Sequence, residues 1–389
     1  MPSKRRSSRM RNPGKARRTR RLRRKRNPRR PSQPTNQQRV HLVARTSARL
    51  SACCLILLSM LGCDRSDPPL VVYVSVDEYV ARPVLESFTE TTGVTVHMVG
   101  DTEATKTTGL VDRIRAERNT PIADVFWSSE AFMTMQLARE GLLQSCRSPV
   151  TDSWFIEWKD PGNQWFGFSP RPRVLVYDPD VIDESEVPRS LEQLAEPRWR
   201  NRLVMADPRF GTTGGHMAAL KTWYETQDQA GRYETLLNGL ATNGIRVLPG
   251  GNAAVVDDVR SGQADIGLTD ADDVRAANRL GANLAMAYVG PVEGVGTFMM
   301  PNTVAVVSGS EHPAAVQLVE MLLSEQVARS LAESTSGNVP LDPEIARDYP
   351  MLAVPESMVV DFNAAAIEYP DAVELSVSML QNRGSDAAP

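Results

Sequence analysis

Beyond Cys63 the chain reads as an α/β protein built as two lobes. Three observations predict this. β-branched apolar runs alternate with helix-length amphipathic segments, the pattern of helices laid on both faces of mostly parallel sheets. Polar residues gather in the short stretches that follow the strands. The chain from Cys63 onward is about 327 residues, longer than a single core usually grows, so two lobes are expected.

The elements follow in order. Leu70–Val76 is a β-branched strand. Pro83–Thr92 is helical and stops at Gly93, a residue suited to the left-handed C-terminal cap. Val94–Val99 is the next strand, Leu110–Glu117 a short amphipathic helix, and Ala123–Trp127 the third strand. Helix Ala131–Glu140 stops at Gly141. Strands Val174–Tyr177 and Leu203–Met205 come next, then helices His216–Glu225 and Tyr233–Asn243 and strand Ile245–Leu248. Helix Ala253–Ser261, strand Asp265–Leu268, helix Val274–Leu280 and strand Leu284–Tyr288 continue the alternation. Strand Thr303–Val307 and helices Pro313–Leu323 and Glu325–Leu331 close it. No internal repeat is evident, and Gly384–Pro389 reads as a frayed tail.

The N-terminal part has a different composition. The first 50 residues hold 19 Lys/Arg and no acidic residue. An uncharged run, Leu50–Leu61, follows and ends at Gly62-Cys63. That run is too short to span a bilayer as a helix. A basic arm, a short apolar core and a small residue before a cysteine read as an export signal with Cys63 as lipid-attachment site. From Asp64 onward 25 Lys/Arg stand against 47 Asp/Glu, a formal charge of −22. An acidic exported protein is a poor nucleic-acid binder. Cys53 and Cys54 fall inside the signal, which leaves Cys146 as the one further thiol and no disulfide framework. His41, His97, His216 and His312 are scattered without metal-ligand spacing.

In sheets of this kind ligands bind beyond the carboxyl ends of the strands. That rule selects Asp77-Glu78, Ser128-Ser129-Glu130, Gly211-Thr212-Thr213-Gly214-Gly215, Gly250-Gly251-Asn252, and Thr269-Asp270-Ala271-Asp272-Asp273. Ser129, Asn252 and Asp272 also suit the ordinary role of helix N-caps, and Glu130 and Asp273 suit the positive end of a helix dipole. The Gly-Thr-Thr-Gly-Gly stretch, read as a loop running into a helix, is an anion cradle that lacks the lysine of a nucleotide loop. Arg171 and Arg173, just before a strand, read either as a clamp for a carboxylate or phosphate or as solvated surface charge. Asp270, Asp272 and Asp273 put three carboxylates in four residues, either as solvated charge or as oxygen ligands for a hard cation or an amine.

These stretches together resemble the ferric-iron-binding branch of the ABC-importer solute-binding proteins, which have the type II periplasmic-binding fold. The resemblance runs from about Leu70 to about Leu341. It rests on the order of Val72-Tyr73-Val74-Ser75, Thr92-Gly93-Val94 and Ala123-Asp124-Val125-Phe126-Trp127. Arg171-Pro172-Arg173-Val174-Leu175-Val176-Tyr177, Pro197-Arg198-Trp199-Arg200-Asn201-Arg202 and Gly262-Gln263-Ala264-Asp265-Ile266-Gly267-Leu268 follow, then Pro301-Asn302-Thr303-Val304-Ala305 and Leu323-Ser324-Glu325-Gln326. It implies two lobes joined by hinge crossovers near Phe168–Arg173 and Thr297–Thr303, with a ligand cleft between them. The implied organisation is a leader over residues 1–63, a first lobe over 68–172 completed by 301–350, and a second over 173–300 joined by a C-terminal helix within 355–380.

The candidate ligand set is Ser75, Asp77, Glu78, Ser129, Glu130, Arg171, Arg173, Thr212, Thr213, Gly214, Asn252, Asp270, Asp272 and Asp273; of these, the resemblance implies that Thr212, Thr213, Gly214 and Asn252 stand where relatives hold a bound anion. The metal positions fall on Asp77, Glu130, Asp272 and Asp273. Here the sequence departs from its relatives: Asp77 stands where they carry His, Glu130 lies one place from their Glu, and Asp272-Asp273 replaces their Tyr-Tyr pair. The implied function is a monomeric lipoprotein of the periplasm or cell surface. It would deliver a small solute, ferric iron or another cation with an anion, to the permease and ATPase of an importer, with no cofactor beyond that cargo. An organic solute such as a phosphonate or an amine is an alternative. A secreted carboxylate-dependent hydrolase or lyase is another, although no nucleophile–base pair is visible.

Overall fold

The computed structural model describes residues 68–101 and 107–381. The lipid-attachment site expected at Cys63 and the tail expected at Gly384–Pro389 lie outside the described residues. Ten strands are present among them: β1 Leu70–Val74, β2 Val96–Gly100, β3 Val125–Ser128, β4 Leu143–Gln144, β5 Phe166–Tyr177, β6 Leu203–Ala206, β7 Arg246–Leu248, β8 Ile266–Asp270, β9 Ala285–Tyr288 and β10 Met299–Val307. The helices are α1 Glu78–Thr92, α2 Thr108–Ala116, α3 Ala131–Arg139, α4 Pro149–Asp152, α5 Gly211–Thr226, α6 Ala230–Thr242, α7 Asn252–Arg260, α8 Ala271–Arg279, α9 Ala315–Leu322, α10 Glu325–Glu333, α11 Pro343–Ala346 and α12 Phe362–Gln381. None of them is long and apolar enough to cross a membrane.

The strands run in the order β2-β1-β3-β10-β5-β8-β6-β7, with β4 also on β10 and β9 also on β5. β1 pairs in parallel with β2 and β3, and β6 with β7 and β8. Each end of the sheet thus has the parallel strands that the alternation predicts. Every antiparallel pairing among the described residues involves β5 or β10. β5 changes partners along its length: Phe166–Pro172 pairs with β10, and Arg173–Tyr177 pairs with β8 and β9.

Side chains alternate across the strands as period two requires. Val72 and Val74 of β1 pack with Phe88 of α1 and Leu318 of α9, while Tyr73 faces the opposite layer with Phe126 and Phe132. Val174, Val176 and Val204 pack under Val255, Val259 and Val274. The charge run Asp257-Asp258 lies between these buried valines, on the outer side of α7.

The sequence reading contains no β4, α4 or α11, and α6 and α8 each begin three residues earlier than expected; four further differences bear on the site. α1 begins at Glu78 rather than Pro83, because the Val80 and Ala81 N–H groups already bond the Asp77 carbonyl at 2.9 and 3.0 Å. β5 begins eight residues before the expected Val174; Pro170 and Pro172 disguise it, but all twelve of its residues are buried. β10 begins at Met299, ahead of Thr303. The Gly211–Gly215 stretch is not a loop but the first five residues of α5. Its glycines serve packing: a Cβ at Gly214 would lie 2.3 Å from the Pro208 carbonyl oxygen, and one at Gly215 would lie 2.5 Å from Glu130 Oε1.

Candidate functional site

β5 and β8 are cross-strand neighbours whose register sets Arg173 opposite Asp270. Both are buried, and Arg173 Nη1 donates to Asp270 Oδ1 at 2.7 Å. Asp270 ends β8, so its carboxylate also meets the starts of two helices. Thr212, in the first turn of α5, donates its hydroxyl to Asp270 Oδ2 at 2.7 Å. Asn252, the first residue of α7, donates Nδ2 to the same oxygen at 3.0 Å. Arg173 Nη1 further reaches Thr212 Oγ1 and Asn252 Oδ1, both at 3.1 Å. Burial alone would push the Asp270 carboxyl up. Arg173, Arg171 and the Thr212 hydroxyl outweigh that and hold it below the ordinary carboxylate range.

The Nε of Arg173 approaches His216 Nδ1 at 3.4 Å, and His216 stacks on Phe298 with ring centroids 5.7 Å apart. Burial and the neighbouring guanidinium hold this imidazole well below its usual pKa, so it accepts as a neutral ring. The Thr297 hydroxyl donates to the Arg173 carbonyl oxygen and ties the strand to the segment entering β10.

Arg171 lies two residues before Arg173. It donates Nη2 to the Ser129 carbonyl at 2.5 Å and Nη1 to Asn302 Oδ1 at 3.2 Å. Its Nε is 3.4 Å from Asp272 Oδ2 and 3.9 Å from Asp270 Oδ2. Burial opposes its charge, but Asp272, Asp270, Asp273 and Asp77 together keep it protonated. One guanidinium thus connects the carboxyl ends of β3 and β8.

In front of these groups lies a cavity. Nine of the expected residues line it: Asp77, Ser129, Arg171, Thr212, Thr213, Asn252, Asp270, Asp272 and Asp273. Carboxylate oxygens of Asp270, Asp272 and Asp273 lie within 4.8 Å of one another. The other five are placed elsewhere. Ser75 is buried and accepts from the Ser129 N–H at 2.9 Å. Glu78 is exposed and paired with Arg82. Arg173 lies behind the wall. Gly214 packs against Pro208 and Tyr369. Glu130 is fully buried and caps α3, accepting from the Phe132 and Met133 N–H groups at 3.1 and 2.7 Å. Burial pushes its carboxyl up to about 7, against those two hydrogen bonds and the Arg171 charge.

Several lining residues were not anticipated: Phe210, Asn302, Leu331, Ser336 and Asn338. Asn302 and Asn338 both donate their side-chain amides to the Ser169 carbonyl, at 2.8 and 3.1 Å. That assignment leaves Asn338 Oδ1, which is buried, with no hydrogen-bond partner among the described residues. The signal for it was thin, a Ser-Gly-Asn turn after α10 with Gly337 at φ +60°. Tyr79 lies beside the acidic residues, its hydroxyl 3.4 Å from Asp77 Oδ2. Partial burial, then Asp77, Asp272 and Asp273, push its ionisation up to about 12.

Residues 120–357 match the family described as bacterial extracellular solute-binding protein. Iron uptake protein A1 of Synechocystis is 25% identical over 276 residues, 67% of this chain and 73% of that one. The fold superposes on iron-bound HitA from Pseudomonas aeruginosa with a TM-score of 0.67 at 23% identity, covering 80% of this chain and 99% of that one. It also superposes on AfuA from Actinobacillus pleuropneumoniae, solved with fructose-6-phosphate, with a TM-score of 0.66 at 19% identity and 80% and 98% coverage. These neighbours share the type II periplasmic-binding fold. With more than half of its length matched by that family, the chain belongs to the bacterial extracellular solute-binding proteins.

Proposed function

We propose that this protein is the extracytoplasmic receptor of an ABC importer and that its cargo is a hard cation, ferric iron foremost. The observation that carries this reading is the convergence of the Asp272 and Asp273 carboxylates at the cavity wall, within 4.8 Å of an oxygen of the buried Asp270 behind them. Asn338 Oδ1 adds a buried oxygen acceptor on the same cavity. Oxygen donors of this kind suit hard cations. The relatives named for iron support the choice of metal. The site differs from a phenolate site in relying on carboxylates. Its role is capture and delivery, not catalysis.

The cavity is reached from elements at both ends of the sheet, β1 and β3 on one side and α5, α7 and α8 on the other. The lobes are residues 68–172 with 301–350, and 173–300 with the C-terminal helix, and they close on the cargo by hinge motion about β5 and β10. Lipid attachment at Cys63 holds the receptor at the membrane, where it meets the permease as a monomer.

Native mass spectrometry of protein purified without added ligand, followed by calorimetric titration with metal salts, tests the cargo. A bound metal displaced by chelator is expected. Asp272→Asn and Asp273→Asn should each weaken it about tenfold or more, since a charge-assisted contact contributes roughly 1.5–3 kcal/mol. If both variants bind the metal like the parent, the aspartates are surface charge and the cation site is lost. For the anchor, Cys63→Ser should abolish fatty-acid labelling; persistent labelling would rule it out.

A further inference from the structure

The donors best suited to hold a free anion are already in use. Thr212 Oγ1, Asn252 Nδ2 and Arg173 Nη1 all donate to the Asp270 carboxylate, at 2.7, 3.0 and 2.7 Å. Thr212 also accepts from Asn252 Nδ2 at 2.8 Å. The set therefore forms a closed ring of hydrogen bonds around one carboxylate. Asp270 is 2% exposed, and α5 and α7 start there without side-chain caps. A carboxylate at two helix starts, facing a buried guanidinium, is where an anion from solution would otherwise be held.

We infer that Asp270 is a resident anion: the chain fills its own anion cradle, so this receptor captures its cargo without a free phosphate, carbonate or carboxylate. This deepens the cargo reading above by stating what does not accompany the cation. It has a structural cause in the register of β5 against β8, which sets Asp270 opposite Arg173. The ring spends both lone-pair faces of Asp270 Oδ2 on Thr212 and Asn252. Asp270 thus serves as counter-charge to Arg173 and fixes the wall on which Asp272 and Asp273 stand.

The test needs no cargo. Full-length protein is melted in chloride buffer alone and with about 100 mM sodium formate or inorganic phosphate. The parent should shift by less than about 1 °C with either. Asp270→Ala leaves Arg173 buried without its carboxylate and should melt roughly 6–10 °C lower. Formate, which restores a carboxylate to the vacated space, should recover about half of that loss, and phosphate should act likewise if the space admits it. Asp270→Asn keeps the shape and covers the case in which the alanine variant does not fold; it too should gain an anion response. A parent stabilised by phosphate or formate as strongly as the variants overturns the proposal, and so do folded variants that ignore both anions. Calorimetric titration of the parent with a metal salt, with and without phosphate, separates the two readings. Absence of metal binding removes the cargo assignment and leaves the formate result standing. Metal binding that requires phosphate removes the resident anion and leaves the cargo assignment.

Discussion

Glu130→Gln is the substitution whose effect can be worked out most fully. The Glu130 side chain is buried beneath α5, against Phe132, Met300 and the Gly215 backbone. Desolvation pushes its carboxyl from 4.5 to about 7, despite two N–H donors and the charge of Arg171. Tyr369 faces it as well; burial first, and then the Glu130 charge, raise that phenol well above its usual value. A carboxyl raised in the folded state binds its proton more tightly there than in the unfolded chain. Its contribution is fully present below about pH 4.5 and is lost as pH rises through about 7. Between pH 5 and pH 8 the wild type should therefore lose about 2.5 kcal/mol relative to Glu130→Gln, which carries no titrating group. His216 acts with the opposite sign. Its folded pKa lies well below 6.5, so stability falls as pH drops below 6.5. The difference between wild type and variant cancels that term, since both contain His216. Urea unfolding at pH 5, 6, 7 and 8 reads it directly. A gap between the two proteins that stays constant within about 0.5 kcal/mol would refute a buried, proton-binding Glu130.

Other outcomes follow from the same geometry. Gly214→Ala drives a methyl to 2.3 Å from the Pro208 carbonyl, a backbone atom that cannot rotate away. It should cost about 1–3 kcal/mol by overpacking, read as a lower urea midpoint; an unchanged midpoint would show that α5 has room to shift. Arg173→Met strands Asp270 at full burial and should cost about 3–5 kcal/mol. Arg173→Lys should recover part of that in a thermal melt, and equal melting of Met and Lys variants would argue against the ion pair. Scattering should show a smaller radius of gyration with cargo bound, and an identical radius at saturation would count against hinge closure.

Much of the architecture was legible because strand and helix periods alternate cleanly from Leu70 onward. What escaped was decided by partners remote in sequence. β5 looks like a four-residue strand because Pro170 and Pro172 break its local signal, yet β10 provides a pairing surface from Met299 onward. The Gly-Thr-Thr-Gly-Gly stretch reads as a loop, since two residue types that favour loops dominate it; contact with Pro208, Tyr369 and Glu130 makes it a helix. Rules for strand ends found eight of the cavity residues, and Arg171 came from its suitability as an anion clamp. They missed Asn302 inside a strand and Asn338 in a distant turn, because neither position follows the carboxyl end of a strand. They also could not tell that the Asp270 carboxylate is engaged by Arg173, Thr212 and Asn252 at the back of the cavity wall, unlike Asp272 and Asp273, which are less deeply buried. That distinction comes from burial at the β5–β8 pairing.

The helix that starts the cavity wall depends on the last helix of the chain. Lys221 of α5 pairs with Glu368 of α12 at 2.6 Å, Gln381 donates to Asp207 Oδ2 at 3.0 Å, and Tyr369 lies against Gly214. During synthesis α12 is completed about 155 residues after α5, or roughly 10–30 s later at ribosomal speeds. For that interval Gly214 lacks the Tyr369 ring and Lys221 lacks Glu368, although Gly215 can already meet Glu130 and Phe132. A chain cut short before residue 362 would keep every cavity residue and still lack the α12 contacts to the helix that carries Thr212 and Thr213. The integrity of the cavity wall is thereby tied to completion of the chain.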